Sequence, residues 1–240
     1  MSKYEKNLEI SYAVGTTVTI ELLKFRPEIA TRLYLSSRLN KDETYQMLVD
    51  MARAHHIPVI TNNEKIFREI SGKDNCLVIC EFKKEHFNID PAADHCVLVN
   101  PSNMGNLGTI IRCMVGFSLF DLAIVGTSCD AFDPKVVRAS MGAFFHVNIS
   151  FYETFDEYLN NSGKSRALYP FMLQAKHALK DARPTKPWSI IFGNEATGLP
   201  REFLDVGTPL LIPHNGFIDS LNLDNAAAIG IYEFTKDRNQ

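Results

Sequence analysis

Two common phosphate-binding signatures are missing from this 240-residue sequence. It contains no Gly-x-Gly-x-x-Gly run, which opens dinucleotide-binding helices, and no complete Gly-x-x-x-x-Gly-Lys-Ser/Thr Walker loop. The absence of both motifs disfavours an ordinary nucleotide-binding α/β enzyme.

Long apolar runs are also missing. No stretch approaches the ~20 apolar residues that a membrane-spanning helix needs. The first seven residues are charged and polar and lack the apolar core of a signal peptide. We therefore expect a soluble, cytoplasmic protein with no membrane partner.

Cysteines are few, and their spacing suggests no metal-binding or redox motif. The five cysteines form no Cys-x-x-Cys motif, and no pair of histidines has the spacing of a zinc site. An odd number of cysteines within apolar segments is typical of reduced thiols that pack in a core. We predict no metal site.

The sequence also lacks an excess of positive charge. The formal net charge is −3, so nothing in the overall balance demands a polyanionic partner. Any binding of nucleic acid must depend on local patches. Because 45% of residues are hydrophobic and 22% charged, the chain can bury a sizeable core, as one large domain or two small ones.

What is present is an alternation of helix-like and strand-like segments, interrupted once. Residues 1–90 predict a small α/β domain, the polar segment Lys83–His95 predicts a linker, and residues 91–240 predict a second α/β domain. Strands that alternate with helices favour a mostly parallel sheet covered on both faces. Among the clearest segments are predicted helices at Thr16–Phe25, Lys41–His55, Thr109–Phe117 and Leu221–Phe234, and a predicted strand at Trp188–Phe192.

Three segments of the second domain place small or polar residues where an apolar run ends: Asn106–Arg112, Phe192–Leu199 and Ile212–Leu223. Loops at strand ends are where open α/β sheets bind ligands. We therefore expect the three segments to converge on one site.

Each segment also has a purely structural interpretation. Arg112 could bind a phosphate or pair with a neighbouring carboxylate. Glu195 could face a ligand or cap a short helix. Ser220 is placed to cap the last helix, and the small residues around Gly230 fit either close packing on the sheet or contact with a partner subunit.

Taken together and in this order, the three segments resemble the motifs of the SpoU (TrmH-type) branch of the SPOUT RNA methyltransferases. The segment Arg138–His146 resembles a further stretch of that family, and the resemblance covers roughly residues 95–236. It implies an α/β fold with a C-terminal trefoil knot, S-adenosylmethionine as cofactor, and a homodimer formed through the C-terminal domain. The implied reaction is methyl transfer to a ribose 2′-hydroxyl of tRNA or rRNA, and residues 1–90 resemble a small RNA-binding domain.

The resemblance also implies roles for single residues. The implied catalytic positions are Arg112, Asn106, Glu195, Ser220 and Asn222. The implied cofactor-binding positions are Phe192, Gly193, Glu195, Gly198, Ile212, Leu221 and Asn222. Asn103 offers a second register for the site asparagine, and Asp224 and Asn225 stand where the family more often has small or apolar residues.

The chemistry of a guanidinium suggests how Arg112 would act. Because it keeps its proton at neutral pH, we expect Arg112 to hold a phosphate and stabilise a developing alkoxide rather than to act as a simple base. For RNA capture we predict Lys176, Lys180, Arg183 and Lys186, although a solvated loop would explain these residues as well. A non-catalytic RNA-binding protein that has kept the fold is the alternative function.

Overall fold

The computed structural model describes residues 4–72, 75–163, 165–215 and 217–239. The α-helices in this part of the chain are α1 Thr16–Phe25, α2 Glu43–Ala54, α3 Glu64–Ile66, α4 Met104–Gly116, α5 Pro134–Ala139, α6 Phe155–Ser162 and α7 Leu223–Thr235. The strands are β1 Ile10–Val14, β2 Ala30–Leu35, β3 Val59–Ile60, β4 Val78–Lys83, β5 His95–Val99, β6 Asp121–Val125, β7 Asn148–Tyr152, β8 Ala167–Pro170, β9 His177–Ala178, β10 Trp188–Phe192 and β11 Leu210–Leu211. Within the described residues, no helix is both long and apolar enough to cross a bilayer.

The chain divides into two compact units. The first comprises Met1–Glu85 and Asp130–His146, and the second comprises His86–Cys129 and Val147–Gln240. The short segment 130–146, which the sequence analysis placed in the second domain, packs with the first unit. One reason is a buried hydrogen bond of 2.5 Å that the Ser11 hydroxyl donates to the carbonyl oxygen of Phe132.

The first unit is built on a mixed sheet with the strand order β1-β4-β2-β3. Strand β4 runs antiparallel to both β1 and β2, whereas β3 is parallel to β2. The predicted α/β pattern omitted β1. Its four buried residues, from Ser11 to Val14, form an almost continuous buried run without the alternation that identifies a half-exposed strand.

The second unit contains a five-stranded, fully parallel sheet with the order β7-β6-β5-β10-β8. This confirms the predicted mostly parallel sheet. Strands β5 and β10 lie side by side where the strand order reverses, and ligands of open α/β sheets bind at the carboxyl ends of strands at this position. A separate pair, β9 and β11, is also parallel.

Helix α4 begins earlier than predicted. The Asn103 side chain caps it by accepting hydrogen bonds from the backbone N–H groups of Gly105 and Asn106, at 2.8 and 3.1 Å. Asn is among the best N-cap residues, so the cap outweighs the poor helix propensity of the two glycines that follow. The segment Asn106–Arg112 is therefore helical throughout, and the predicted start of the helix at Thr109 was five residues too late.

Helix α7 is capped by Asn222, whose side chain accepts a hydrogen bond from the backbone N–H of Leu223 at 3.1 Å. The prediction that Ser220 caps this helix was therefore wrong. Farther along, a Cβ atom added to Gly230 would lie 2.8 and 2.9 Å from the ring tips of Phe171 and Phe192. Gly230 thus allows α7 to pack closely on its own sheet.

A buried chain of hydrogen bonds lies at the opposite, amino-terminal edge of the parallel sheet. His95 Nε2 lies 2.7 Å from the carbonyl oxygen of Asp90, and its Nδ1 lies 3.0 Å from the Tyr158 hydroxyl. That hydroxyl lies 2.5 Å from Ser189 Oγ, which accepts from Arg166 at 3.2 Å. Arg166 Nη2 also lies 3.1 Å from His95 Nε2, but its two protons are donated to the carbonyls of Pro91 and Ala93. Because the Asp90 carbonyl only accepts, His95 carries its proton on Nε2, so Tyr158 donates to Nδ1.

Candidate functional site

A cavity of about 220 Å³ opens at the carboxyl edge of the parallel sheet, beside the end of β10. Its walls come from four stretches of the second unit: the ends of β8, β10 and β11 and the approach to α7. The residues that line it are Phe171, Met172, Leu173, Gln174, Phe192, Gly193, Asn194, Glu195, Ala196, Thr197, Gly198, Leu199, Leu210, Leu211, Ile212, His214, Ser220, Leu221, Leu223 and Ala226. The second and third sequence segments therefore meet at one cavity.

The turn after β10 needs glycine at both ends. A Cβ atom on Gly193 would lie 2.1 Å from the backbone carbon of Gly198, so no side chain fits there. Gly198 itself has a φ of 67°, in the left-handed region that favours glycine. The turn is closed by the Gly198 N–H, which donates to the carbonyl of Asn194 at 2.9 Å. The cavity wall here consequently consists largely of backbone.

Glu195 connects this turn to the residues that follow β5. One carboxylate oxygen accepts from the Ser102 N–H at 3.0 Å and from its hydroxyl at 2.7 Å. The other accepts from the Asn103 N–H at 3.0 Å and from Asn106 Nδ2 at 3.3 Å. Both oxygens are occupied, so Glu195 fixes the two strand ends together and does not cap the short turn after Leu199.

These contacts also set the charge of Glu195. Partial burial would raise the pKa of its carboxyl, but the hydrogen bonds from Ser102 and Asn103 outweigh that effect and lower the pKa below its ordinary value. Glu195 is therefore an anion at neutral pH, and its role in this structure is to accept these four hydrogen bonds.

The two candidate asparagines have different roles. Asn103 uses its side-chain oxygen to cap α4, whereas Asn106 is buried and directs its amide at Glu195. Asn106 thus joins the first segment to the second, and Asn103 supports the helix that carries it. This geometry favours the register that takes Asn106 as the site residue.

Arg112 lies elsewhere on α4. Its side chain is exposed, does not line the cavity, and has no hydrogen bond or ion pair with the residues that the structure describes. Among the described residues, no carboxylate pairs with Arg112, so the interpretation of Arg112 as a salt-bridge residue is not supported. Asn222 also lies outside the lining, while Ser220 and Leu221 are part of it.

The four cations predicted to bind RNA are not equivalent. Lys176 and Arg183 line a second cavity of about 250 Å³, together with Tyr169, His177, Ala178, Asp181, Ala182, Thr208 and Leu210. Lys180 is exposed and does not line it. Lys186 lies 3.8 Å from the carboxylate of Asp94, an ion pair that the sequence did not suggest.

Sequence reasoning missed three contributors to the site. Ser102 supplies two of the hydrogen bonds to Glu195, and Gln174 and His214 line the first cavity. The position of Ser102 shortly after the end of β5 at Val99 was a usable signal, because the carboxyl ends of parallel strands share one edge. Gln174 could have been found in the same way, as it follows β8.

Comparison with known proteins agrees with the motif order. The sequence profile of the SpoU rRNA Methylase family matches residues 95–232. A protein from Listeria innocua serovar 6a, provisionally named a tRNA (cytidine(34)-2′-O)-methyltransferase, is 33% identical over 147 residues, which cover 58% of this chain and 85% of that protein. The 23S rRNA (uridine(2479)-2′-O)-methyltransferase of Streptomyces viridochromogenes is 30% identical, over 58% of this chain and 50% of that protein.

Solved structures extend the similarity to the whole chain. The SpoU methyltransferase AviRb from Streptomyces viridochromogenes, solved in complex with the cofactor AdoMet, superposes with a TM-score of 0.81 at 20% identity. The match covers 96% of this chain and 91% of that chain, and at this identity it establishes the fold. With the family profile matching more than half of its residues, the chain belongs to the SpoU rRNA methylase family.

Proposed function

We propose that the chain transfers the methyl group of S-adenosylmethionine to a ribose 2′-hydroxyl of RNA, with tRNA or rRNA as the substrate class. The observation that carries this proposal is the cavity at the end of β10, where the second and third segments form one wall and Glu195 connects them to the first. The names of the related proteins, which are tRNA and rRNA 2′-O-methyltransferases, support the same reaction.

The residues of the cavity fit this cofactor. The described lining contains apolar side chains, glycine-rich backbone and no lysine or arginine, and its one carboxylate belongs to Glu195. A cation such as a sulfonium is favoured by the Glu195 carboxylate and by backbone carbonyl dipoles where no cation competes, and an adenine ring is matched by apolar walls with backbone donors and acceptors. We assign Phe192, Gly193, Gly198, Ile212 and Leu221 to cofactor binding.

S-adenosylmethionine supplies an activated methyl group on a cationic sulfur. The contribution of the chain is to exclude water and hold the reacting oxygen in position, because a nucleophile and a cation lose their charges together in this reaction. Ser220 lines the cavity and its hydroxyl has no hydrogen-bond partner among the described residues, so it is available to orient a substrate oxygen. Glu195 and Asn106 act by positioning the cavity walls.

Arg112 is the residue we assign to the target phosphate and the developing alkoxide. Since it is exposed and absent from the lining of its own cavity, a homodimer through the C-terminal part of the chain would let Arg112 of the partner subunit serve this role. Asn222 would then act through α7, which it caps. The trefoil knot and the RNA-binding role of residues 1–90 are further parts of the proposal, and the resemblance noted in the sequence is what supports them.

The alternative is a protein that binds RNA without catalysis. Calorimetry with S-adenosylmethionine separates the two, because only the enzyme needs the cofactor. We expect saturable binding by the wild-type protein and its loss in Gly193→Val, whose side chain would collide with Gly198. A Gly116→Val variant is the matched control, because a Cβ there meets nothing within 4 Å. Absence of binding by a folded wild-type protein would favour the non-catalytic alternative.

A further inference from the structure

The second cavity of the parallel-sheet unit has a chemical character different from the first. It lies between β8, the β9–β11 pair and the turn Leu179–Asp181, and we call it the basic cavity. Two full positive charges, Lys176 and Arg183, line it with one negative charge, Asp181. The charged lining therefore carries one net positive charge, in a chain whose formal net charge is −3.

None of these charges is neutralised by the described part of the chain. Within the described residues, the side chains of Lys176, His177 and Asp181 make no hydrogen bond or ion pair, and the side chain of Arg183 donates only to the carbonyl of Ala182, at 2.8 Å. By contrast Lys186, a few residues away, is paired with Asp94. Unpaired cations around a cavity can bind an anion. A phosphate suits them, because its several oxygens can accept hydrogen bonds from more than one cation at once.

The cavity is supported by the sheet and is not a random gap between loops. The hydroxyl of the buried Tyr169, on β8, accepts from the backbone N–H of Thr185 at 3.1 Å and so ties the Arg183 segment to the sheet. On the other side, the N–H of Thr208 donates to Leu168 on β8 at 2.9 Å, and Gly207 approaches so closely that a Cβ would lie 2.2 Å from the same carbonyl oxygen. The two walls are therefore fixed relative to each other.

The basic cavity shares a wall with the proposed cofactor cavity, because Leu210 lines both. Its volume of about 250 Å³ admits a phosphate with part of its sugar but not several stacked nucleotides. We infer that the basic cavity is a phosphate subsite, in which Lys176 and Arg183 hold a backbone phosphate of the substrate RNA. The ribose of that RNA would be methylated at the adjacent cofactor cavity. This inference rests on the proposed function. Lys180 and Lys186 are not part of the subsite.

Two double variants that each remove two positive charges from the same segment test this assignment. Binding of a fluorescent 12-nucleotide oligouridylate is measured for Lys176→Ala/Arg183→Ala and for the control Lys180→Ala/Lys186→Ala. The subsite predicts about tenfold or greater loss of affinity for the first variant and at most about threefold for the second. Because the two side chains share one phosphate, the slope of log affinity against log salt should become shallower by about 0.7 for the first variant alone, the value expected for one phosphate contact on a single strand.

Equal losses of RNA affinity in both variants would show a diffuse positive patch and contradict the subsite. No loss of affinity in either variant would show that this segment does not contact the RNA, which also contradicts the subsite. A second measurement needs no variant: acetylation of the wild-type protein should be blocked by the RNA at Lys176 and not at Lys180. Inorganic phosphate is titrated separately, and saturation by phosphate with unaltered RNA binding would assign the cavity to a free anion. Calorimetry with S-adenosylmethionine is run on every variant, so loss of the proposed function is distinguished from loss of the subsite.

Discussion

The carboxylate of Glu195 accepts two hydrogen bonds from a single residue, Ser102, through its backbone N–H at 3.0 Å and its hydroxyl at 2.7 Å. These residues are 93 positions apart in the sequence and lie at the ends of adjacent parallel strands, β10 and β5. The contact holds β5 and β10 together at their carboxyl ends, where the cavity that we propose for the cofactor opens.

Replacing Glu195 with glutamine should weaken this contact strongly. An amide has one acceptor oxygen, and its NH₂ group would face the donors of Ser102 or Asn103. We expect a loss of about 1–3 kcal/mol in the free energy of unfolding and about tenfold or more in the affinity for S-adenosylmethionine. Urea unfolding and calorimetry measure the two effects.

The control for that change is Glu202→Gln, which alters an exposed glutamate in the turn Arg201–Asp205. Its stability should differ from that of the wild type by less than about 0.5 kcal/mol. If Glu195→Gln behaved like this control, Glu195 would not be the connection between the two strand ends.

Replacing Arg112 with lysine should separate catalysis from folding. Arg112 is exposed and unpaired among the described residues, so the unfolding midpoint should stay within error of the wild-type value. A lysine cannot reproduce the planar fork of a guanidinium, so we expect turnover to fall about 100-fold or more while cofactor affinity is kept.

Arg201→Lys, an exposed substitution of the same kind in the same unit, should retain near wild-type turnover. Mixing an Arg112→Ala protein with a Gly193→Val protein tests the dimer, because a shared site would recover activity in the mixed species. No recovery in a mixture shown to exchange subunits would confine Arg112 to the cavity of its own chain.

Gly230 should tolerate no side chain. A Cβ added there would lie within 3 Å of both Phe171 and Phe192, which stack with ring centroids 4.5 Å apart. We expect Gly230→Ala to lower the free energy of unfolding by about 1–3 kcal/mol despite the better helix propensity of alanine. Gly116→Ala, where the added Cβ meets nothing, should be neutral or slightly stabilising; equal effects at both positions would contradict the packing argument.

The stability of the second unit should depend on pH through His95. Burial, together with the nearby Arg166 guanidinium, lowers the pKa of His95 to about 4. The unfolded chain takes up this proton near its ordinary pKa of about 6.5, so His95 stabilises the fold above that pH and the contribution is lost as the pH falls towards 4. We expect a loss of about 2 kcal/mol between pH 7 and pH 5 from this group.

Nuclear magnetic resonance gives a direct check on the wild-type protein. At pH 5, the ring of His95 should be neutral with its proton on Nε2. Titration of His95 close to pH 6.5 would show that burial and the Arg166 guanidinium do not hold it in the neutral form.

The parts of this fold that could be predicted are those with a strong local signal. The helix Thr16–Phe25 and the strand Trp188–Phe192 were predicted with their observed bounds, because an apolar pattern and clear end signals agree there. Helix α4 was begun five residues too late, since the glycines after Asn103 suggested a loop and the strength of the cap was not weighed.

The site could be predicted only in part, because its key contacts are between distant residues. Motif order and strand-end positions led to Gly193, Glu195 and Leu221, which do line one cavity. The hydrogen bonds from Ser102 and the pairing of Lys186 with Asp94 depend on which strands become neighbours, and strand order is not encoded in any local pattern.

The most direct test of the central claim is to locate the transferred methyl group. Purified protein is incubated with methyl-labelled S-adenosylmethionine and tRNA or rRNA, the RNA is digested to nucleosides, and the products are identified by mass spectrometry. The account predicts label on ribose 2′-oxygens, and its near-complete loss with Arg112→Lys. Label on a base, or no label although the cofactor is bound, would contradict it.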